Sequence, residues 1–197
     1  MNQRSAPAGD VQDDSRLVQA ARQGDRTAFG RLYDRYARMV HGILLARVPL
    51  SEVDDLVQDV FLRALPRLHT LRDAGRFGAW LAAITRNCAN DYHRHSVDEV
   101  ELTENLPDDG AERQLPPGSG DAEARALLNI IRGLPETYSE ILLLRLVEGM
   151  TGPEIAARTG LTHGSVRVTL HRGMQQLREK LVPARRNVDA KQEGSGR

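Results

Sequence analysis

The chain consists of stretches in which apolar residues recur every three or four positions, separated by short breaks at glycine and proline. This spacing places the apolar residues on one side of a helix, and no stretch shows the alternation typical of a β-strand. The pattern therefore predicts an all-α fold. Two of the expected helices begin at Asp14 and after Gly24-Asp25. Four more span 52–65, 77–95, 122–132 and 135–149, and the last two lie within 150–182.

An acidic, broken segment divides this series of helices. Residues 97–121 hold eight Asp and Glu against one Arg, with three prolines and three glycines. Such a composition is too polar to fold alone. We therefore expect two small helical domains, 14–96 and 122–182, joined by a flexible acidic linker. The polar ends, 1–13 and 183–197, are expected to be disordered.

The last pair of helices carries the most explicit local signals. Thr151 and Glu154 have the spacing of a capping box, so the first helix of the pair is expected to start there. Gly160 is expected to close it in the left-handed conformation. Leu161 would then fill the turn, and Thr162 would cap the second helix.

That second helix has two contrasting faces. Val166, Leu170 and Leu177 share one face and are expected to be buried. The opposite face carries polar and basic residues, namely Ser165, Arg167, Thr169, His171 and Arg172. A short helix, a turn with glycine and a longer basic helix predict a helix-turn-helix that reads the DNA major groove. The alternative is a helical hairpin whose arginines are only solvated.

The formal net charge is zero, but the charge is unevenly distributed. Residues 14–96 carry 13 Lys and Arg against 9 Asp and Glu, and residues 122–182 carry 8 against 6. A neutral total therefore conceals two mildly basic domains around the acidic linker. It does not argue against nucleic-acid binding.

No catalytic arrangement is found in the sequence. The six histidines are scattered, and phosphate-loop, dinucleotide, HExxH and GxSxG motifs are absent. Asp54, Asp55 and Asp59 could bind a metal in principle, but no histidine lies near them. Cys88, the single cysteine, is expected to be a small core residue rather than a reactive thiol. We therefore expect no enzymatic activity, no cofactor, no metal and no small-molecule substrate.

No apolar run approaches the roughly 18 residues that a membrane span requires. The first ten residues also lack the apolar core of a signal peptide. We therefore expect a cytoplasmic protein.

Two further surfaces leave alternatives open. Asp55, Gln58 and Asp59 lie on the polar face of helix 52–65. They are either solvated acids that suit the N-terminal end of a helix dipole, or a docking face for a basic partner. Trp80 in the next helix is either a core residue or a stacking platform for an unpaired base, since it follows a basic loop.

Four segments, in this order, resemble bacterial RNA polymerase sigma factors of the extracytoplasmic-function (ECF) group. They are LVQAARQGDRTAFGRLYDRY (17–36), DDLVQDVFLRAL (54–65), RFGAWLAAITRNCANDYHRH (76–95) and LPETYSEILLLRLVEGMTGPEIAARTGLTHGSVRVTLHR (134–172). The resemblance implies an all-helical protein that binds core polymerase and directs it to promoters. By the same resemblance, 14–96 would be sigma region 2, 122–182 would be sigma region 4, and the linker would thread through the polymerase.

The resemblance also implies roles for residues of the first domain. Helix 52–65 is similar to the surface that docks on the clamp helices of the polymerase β' subunit, which favours docking for Asp55, Gln58 and Asp59. The loop and helix around Trp80 are similar to the part that reads and melts the −10 element. The residues implied there are Arg67, Leu71, Arg72, Trp80, Arg86, Asn87 and Asp91. Arg67, Leu71, Trp80, Asn87 and Asp91 would surround a base flipped from the non-template strand.

The helix-turn-helix is similar to the family's reader of the −35 element. The residues implied are Thr162, Ser165, Arg167, Val168, Thr169, His171 and Arg172. Val168 and Thr169 stand where the family usually has Ser and Arg, so fewer charged donors reach phosphate. Val168 offers only apolar contact, for instance to a thymine methyl group. We therefore expect an unusual −35 sequence.

The resemblance further implies promoter DNA and an anti-sigma factor as partners, and a monomer when the protein is free. Three rival functions are open to test. A stand-alone helix-turn-helix regulator would bind duplex DNA by itself, normally as a dimer. A helical hydrolase would use Asp54, Asp55 and Asp59 to hold a metal. A protein-interaction adaptor would leave the DNA-reading helix without a role.

Overall fold

The computed structural model describes the backbone of residues 8–102 and 119–193, and the side chains of residues 13–95 and 122–181. The described residues form helices and short connections, without a β-strand. The helices are α1 (Ala8–Arg22), α2 (Arg26–Leu45), α3 (Val53–Ala64), α4 (Phe77–Leu102), α5 (Ser119–Arg132), α6 (Glu136–Leu146), α7 (Gly152–Thr159) and α8 (His163–Glu193). Short 3-10 turns, Leu50–Glu52, Leu65–Thr70 and Ala74–Arg76, flank α3 and precede α4. The all-α prediction is confirmed for this part of the chain.

Several helices are longer than the sequence pattern predicted. Disorder was expected for residues 8–13, but α1 begins at Ala8. Helix α4 continues to Leu102 and α5 begins at Ser119, so both enter the expected linker. Helix α8 runs to Glu193, through the expected tail. These polar segments contain helix-forming residues, and polarity alone does not end a helix. The centre of the expected linker, 103–118, lies outside the described residues.

The predicted caps of α7 and α8 are confirmed. Thr151 and Glu154 form both hydrogen bonds of a capping box, and Gly160 closes α7 with φ +75°. The backbone N–H of Ser165 donates to the Thr162 hydroxyl at 3.1 Å, which caps α8. Leu161 is 40% exposed, so the expectation that it fills the turn is wrong.

Helices α1–α4 form one unit around a shared apolar core. The largest fully buried side chains here are Leu32, Met39, Ile43, Leu44, Phe77 and Leu81. They come from the apolar faces of α2 and α4, which the three- and four-residue spacing predicts. This core fixes α3 and α4 with their polar faces outward.

Helices α5–α8 form a second unit around α6. Residues 139–144 of α6 are all buried, including the consecutive apolar residues Ile141 to Leu144. Six consecutive positions span more than one full helical turn, so this part of α6 is covered on all sides. Within the unit α6 contacts α5, α7 and α8, and on its other side it contacts α2.

The two units therefore pack directly against each other. Helix α2 contacts α6 and α7, and α4 contacts α7. Where α2 meets α6, a Cβ added to Gly42 would lie 2.7 Å from Leu144 Cδ2. Where α4 meets α7, a Cβ on Gly78 would clash with the Arg158 carbonyl oxygen. The sequence predicted two domains, but it did not predict this close contact between them.

Candidate nucleic-acid interface

Part of the polar face of α3 is exposed and has no hydrogen bond or ion pair within the described residues. Asp55, Gln58 and Asp59 lie three and four positions apart, which places them on one side of the helix. Within the described residues none of them forms a hydrogen bond or ion pair, and all three are exposed. Leu62, one turn further along, is 68% exposed. This face therefore presents two acids, an amide and one apolar side chain to solvent.

A cavity of about 440 Å³ lies beside the N-terminal end of α4. Three residues of the predicted −10 site, Leu71, Arg72 and Trp80, line it. The remaining lining residues are Asp73, Gly75, Arg76, Ala79, Ala157 and Gly160. The sequence pattern gave no sign that α7 would border this cavity, because the contact joins residues some 80 positions apart.

Trp80 is half-buried, and its ring centroid lies 5.8 Å from that of Phe77. One side of the indole therefore rests on the core, while another part faces the cavity. This position fits both alternatives for Trp80, a core residue and a stacking platform for an unpaired base.

The other residues of the predicted −10 site lie away from this cavity. Asn87 and Asp91 share the face of α4 that carries Trp80, at 7 and 11 positions further along. At 1.5 Å per residue these separations are about 10 and 16 Å along the helix axis. Arg67 is exposed in the 3-10 turn after α3. The residues expected around one base thus form a strip along α4 and its preceding loop, made of Arg67, Leu71, Trp80, Asn87 and Asp91.

Two charged residues of the predicted −10 site have internal partners. The Arg86 guanidinium donates to Glu140 of α6 at 2.6 Å. Asp91 accepts from Arg63 at 3.3 Å and from Arg94. The hydrogen bond from Arg94 lowers the pKa of the Asp91 carboxyl.

The helix-turn-helix presents most of its predicted residues to solvent. The exposed residues at the N-terminal end of α8 are Thr162, Ser165, Arg167, Val168, His171 and Arg172. Thr169 is half-buried, while Val166 and Leu177 anchor the helix in the core as predicted. Leu170 is only half-buried. The hydroxyls of Thr162 and Ser165 are 2.8 Å apart, so the cap occupies part of their hydrogen-bonding capacity.

In the described part of the chain, no group of three or more His, Cys, Asp or Glu is arranged to hold a metal ion. The described helices also include none that is long and apolar enough to cross a membrane. Cys88 is buried, and burial raises the pKa of its thiol.

Two protein families match the chain in order, Sigma-70 region 2 over residues 32–97 and Sigma-70, region 4 over residues 124–177. The chain is 34% identical over 172 residues to the ECF RNA polymerase sigma factor BldN of Streptomyces coelicolor, which covers 85% of this chain and 65% of BldN. It is 34% identical over 180 residues to the ECF RNA polymerase sigma factor SigD of Mycobacterium tuberculosis. This match covers 85% of this chain and 84% of SigD.

The fold is similar to that of CnrH, solved in complex with the cytosolic domain of CnrY. The TM-score is 0.60 at 25% sequence identity, and the match covers 87% of this chain and 98% of CnrH. Some relatives are considerably longer than the matched part. The chain spans 65% of BldN and 42% of a probable RNA polymerase sigma factor, RfaY, of Xanthomonas campestris.

Proposed function

The chain belongs to the ECF group of RNA polymerase sigma factors, and from this membership we propose that it binds core RNA polymerase and directs promoter-specific transcription initiation. The observation that carries the proposal is the presence of sigma regions 2 and 4, in order, in one chain. In our proposal 14–96 acts as region 2, 122–182 as region 4, and 97–121 as a flexible acidic connector. No step of this function requires a catalytic residue in the chain.

Core polymerase would dock on α3. The support is the exposed and unpartnered set Asp55, Gln58 and Asp59 on one side of the helix. Acidic residues complement a basic surface, and such complementarity speeds association and fixes the orientation of the complex. We propose the clamp helices of the β' subunit as that surface.

The −10 element would be captured beside α4. A protein that holds a flipped base recovers the cost of unstacking through contacts to that base. Leu71, Arg72 and Trp80 combine an apolar wall, a cation and an aromatic ring around one cavity, which suits a base and its phosphate. In our proposal Arg67, Arg86, Asn87 and Asp91 contact neighbouring nucleotides along the strip.

The −35 element would be read by the exposed N-terminal residues of α8. These residues would enter the major groove, while the buried Val166 and Leu177 hold the helix in place. Val168 is 48% exposed and apolar, which supports an apolar contact in the groove.

The Arg172→Ala variant is expected to weaken −35-dependent promoter binding by about 1–3 kcal/mol, since arginine contacts to bases or phosphates have this magnitude. The measurement is holoenzyme binding to promoter fragments with an intact and a scrambled −35 element. Arg178→Ala, an exposed arginine later on α8, is the matched control and should bind normally. Equal binding by the Arg172 variant and the control would contradict the role of Arg172.

The family also implies regulation by an anti-sigma factor. CnrH was solved in complex with the cytosolic domain of CnrY, and this complex supports a protein partner for our chain. We further propose that the protein acts in the cytoplasm and is a monomer when free.

The deciding experiment is in vitro transcription of a genomic-fragment library by purified core polymerase, with and without the protein. New transcripts that share a −35 and a −10 pattern are the expected result. Duplex binding by the protein alone, without new transcripts, would instead favour a stand-alone regulator.

A further inference from the structure

The loop that joins α3 to α4, residues 65–76, is attached to α1 as well as to the two helices that it connects. It contains the 3-10 turns Leu65–Thr70 and Ala74–Arg76, and Leu71 between them is extended. Leu68 and Leu71 are its buried residues, and most of the others are exposed. Helix α1 contacts both turns. The position of the 65–76 loop therefore depends on α1.

Arg22, the last residue of α1, makes the polar part of this contact. Its side chain is half-buried, and its Nε donates to the Leu68 carbonyl at 3.0 Å. Nη2 of the same guanidinium donates to the Leu71 carbonyl. A guanidinium is planar and presents its donors in a rigid fork. One side chain therefore holds two carbonyls of the loop in a fixed relation to α1.

The Arg22 cation lies where two helical segments end. The last carbonyls of a helix have no partner within the helix, and they carry the negative end of its dipole. Helix α1 ends at Arg22 itself, and the carbonyls at the end of the turn Leu65–Thr70 face its guanidinium. A positive charge is favourable at this place. Without it, the Leu71 carbonyl would lose its donor.

Packing alone does not fix the 65–76 loop, because cavities border it at two places. The part that follows Leu71 lines the cavity beside Trp80. The part before Leu71 lines a second cavity of about 340 Å³. This cavity is bordered by Ala21, Arg22, Leu65, Pro66, Leu68 and His69. A segment next to empty space lacks partner atoms on that side. The hydrogen bonds from Arg22 thus supply a restraint that packing does not.

Other side-chain hydrogen bonds of the loop are local. His69 and Thr70 each bond to a carbonyl three positions earlier, at 2.7 Å. Asp73 accepts from the backbone N–H two positions later at 2.9 Å. Such bonds fix the shape of each turn, but they do not attach the loop to a neighbouring helix. The two hydrogen bonds from Arg22 do.

We propose that Arg22 is a positioning residue for −10 recognition: it fixes the loop that forms one wall of the base-capturing cavity. The proposal rests on the function proposed above. Leu71 lines that cavity, and its own carbonyl is one of the two that Arg22 holds. Arg72, the next residue, lines the cavity as well. Arg22 is not among the lining residues, so it acts through the loop and does not touch the base.

A fixed wall matters because capture of a base needs a preformed site. A site that is ordered only when its ligand arrives spends part of the contact free energy on that ordering. Without Arg22, the loop would have to be ordered as the base enters. The correct base makes the fullest set of contacts with the wall, so it loses more than an incorrect base does. The expected effect is therefore a loss of −10 sequence preference.

Arg22→Ala tests this in transcription by holoenzyme, on promoter fragments that carry each of the four bases at each −10 position in turn. We expect the preference for the best base to fall about 10-fold at the captured position, the factor for one lost hydrogen bond to a charged group. The preference at −35 positions should not change. A ratio of rates from one preparation does not depend on the fraction of active protein, so a loss of stability alone leaves it unchanged.

Arg16→Ala is the matched control, because it makes the same change at an exposed arginine of the same helix. It should keep the wild-type −10 preference. Arg22→Lys is the second variant. It keeps the charge but lacks the fork that holds two carbonyls, so its preference should lie between those of Arg22→Ala and wild type. Circular dichroism verifies folding. Wild-type −10 preference in either folded Arg22 variant would overturn the proposal.

Hydrogen exchange of the free, full-length chain tests the restraint without polymerase. Backbone amides of the 65–76 loop should exchange faster in Arg22→Ala than in Arg16→Ala, while those of α8 exchange equally. Equal exchange in the loop would also overturn the proposal, even if wild type directs transcription. Absence of promoter-specific transcripts with wild type would instead refute the proposed function, and with it the role of Arg22 in −10 reading.

Discussion

The variant that carries both Asp55→Lys and Asp59→Lys is expected to lose binding to core RNA polymerase by more than about 100-fold. Both carboxylates are exposed on one side of α3, without a partner among the described residues. Lysines there would meet a surface that complements acids, and like charges placed opposite each other cost several kcal/mol. The measurement is a titration of labelled sigma factor with core polymerase at fixed ionic strength.

The fold should tolerate these two substitutions. Lysines in the first turns of a helix oppose the helix dipole by only about 0.3–1 kcal/mol each. The matched control, Asp34→Lys with Glu123→Lys, makes the same charge change at two exposed sites on α2 and α5. The control should bind core polymerase nearly as well as wild type. Equal binding by both double variants would mean that the acids of α3 are merely solvated.

Local chemistry made much of this molecule predictable. The capping box at Thr151, the left-handed Gly160 and the buried Val166 each follow from residues within a few positions. The helix-turn-helix was therefore identified from sequence with its main boundaries. The exposed face of α3 was also predictable, because a three- and four-residue spacing assigns each residue to one side of a helix.

Contacts between distant segments were not predictable in this way. The consecutive apolar residues Ile141 to Leu144 indicate that α6 is covered on all sides, but they do not say which helix covers it. The sequence does not show that Glu140 and Glu148 are buried ion-pair partners, because the cations that pair with them lie in α2, just after α2 and in α4. For the same reason the sequence placed Arg86 on a DNA-binding face without revealing its pairing with Glu140.

The helix ends were missed for a different reason. The ends of α4 and α8 were predicted where the sequence becomes polar. Charged residues such as Glu, Lys and Arg are nevertheless good helix formers. In α8 the helix continues through Pro183, although proline removes one backbone hydrogen bond. A helix boundary is better predicted from caps and breakers than from a change in hydrophobicity.

Trp80→Ala is expected to reduce open-complex formation on a duplex promoter by about 5- to 150-fold. The range corresponds to the roughly 1–3 kcal/mol that stacking of a base on an aromatic side chain contributes. The measurement is the fluorescence of 2-aminopurine in the −10 element, followed after holoenzyme is added. The defect should shrink on a template whose −10 element is already unpaired, because unstacking then costs little.

Two further substitutions separate stacking from core packing, since the Trp80 ring also contacts Phe77. Trp80→Phe keeps an aromatic face and should retain most of the activity. Trp80→Leu keeps an apolar side chain against the core but has no ring on which a base can stack. If Trp80 captures a base, Leu behaves like Ala on duplex DNA while the protein stays folded. If Leu supports melting as well as Phe does, Trp80 is a core residue and the base is held by other groups.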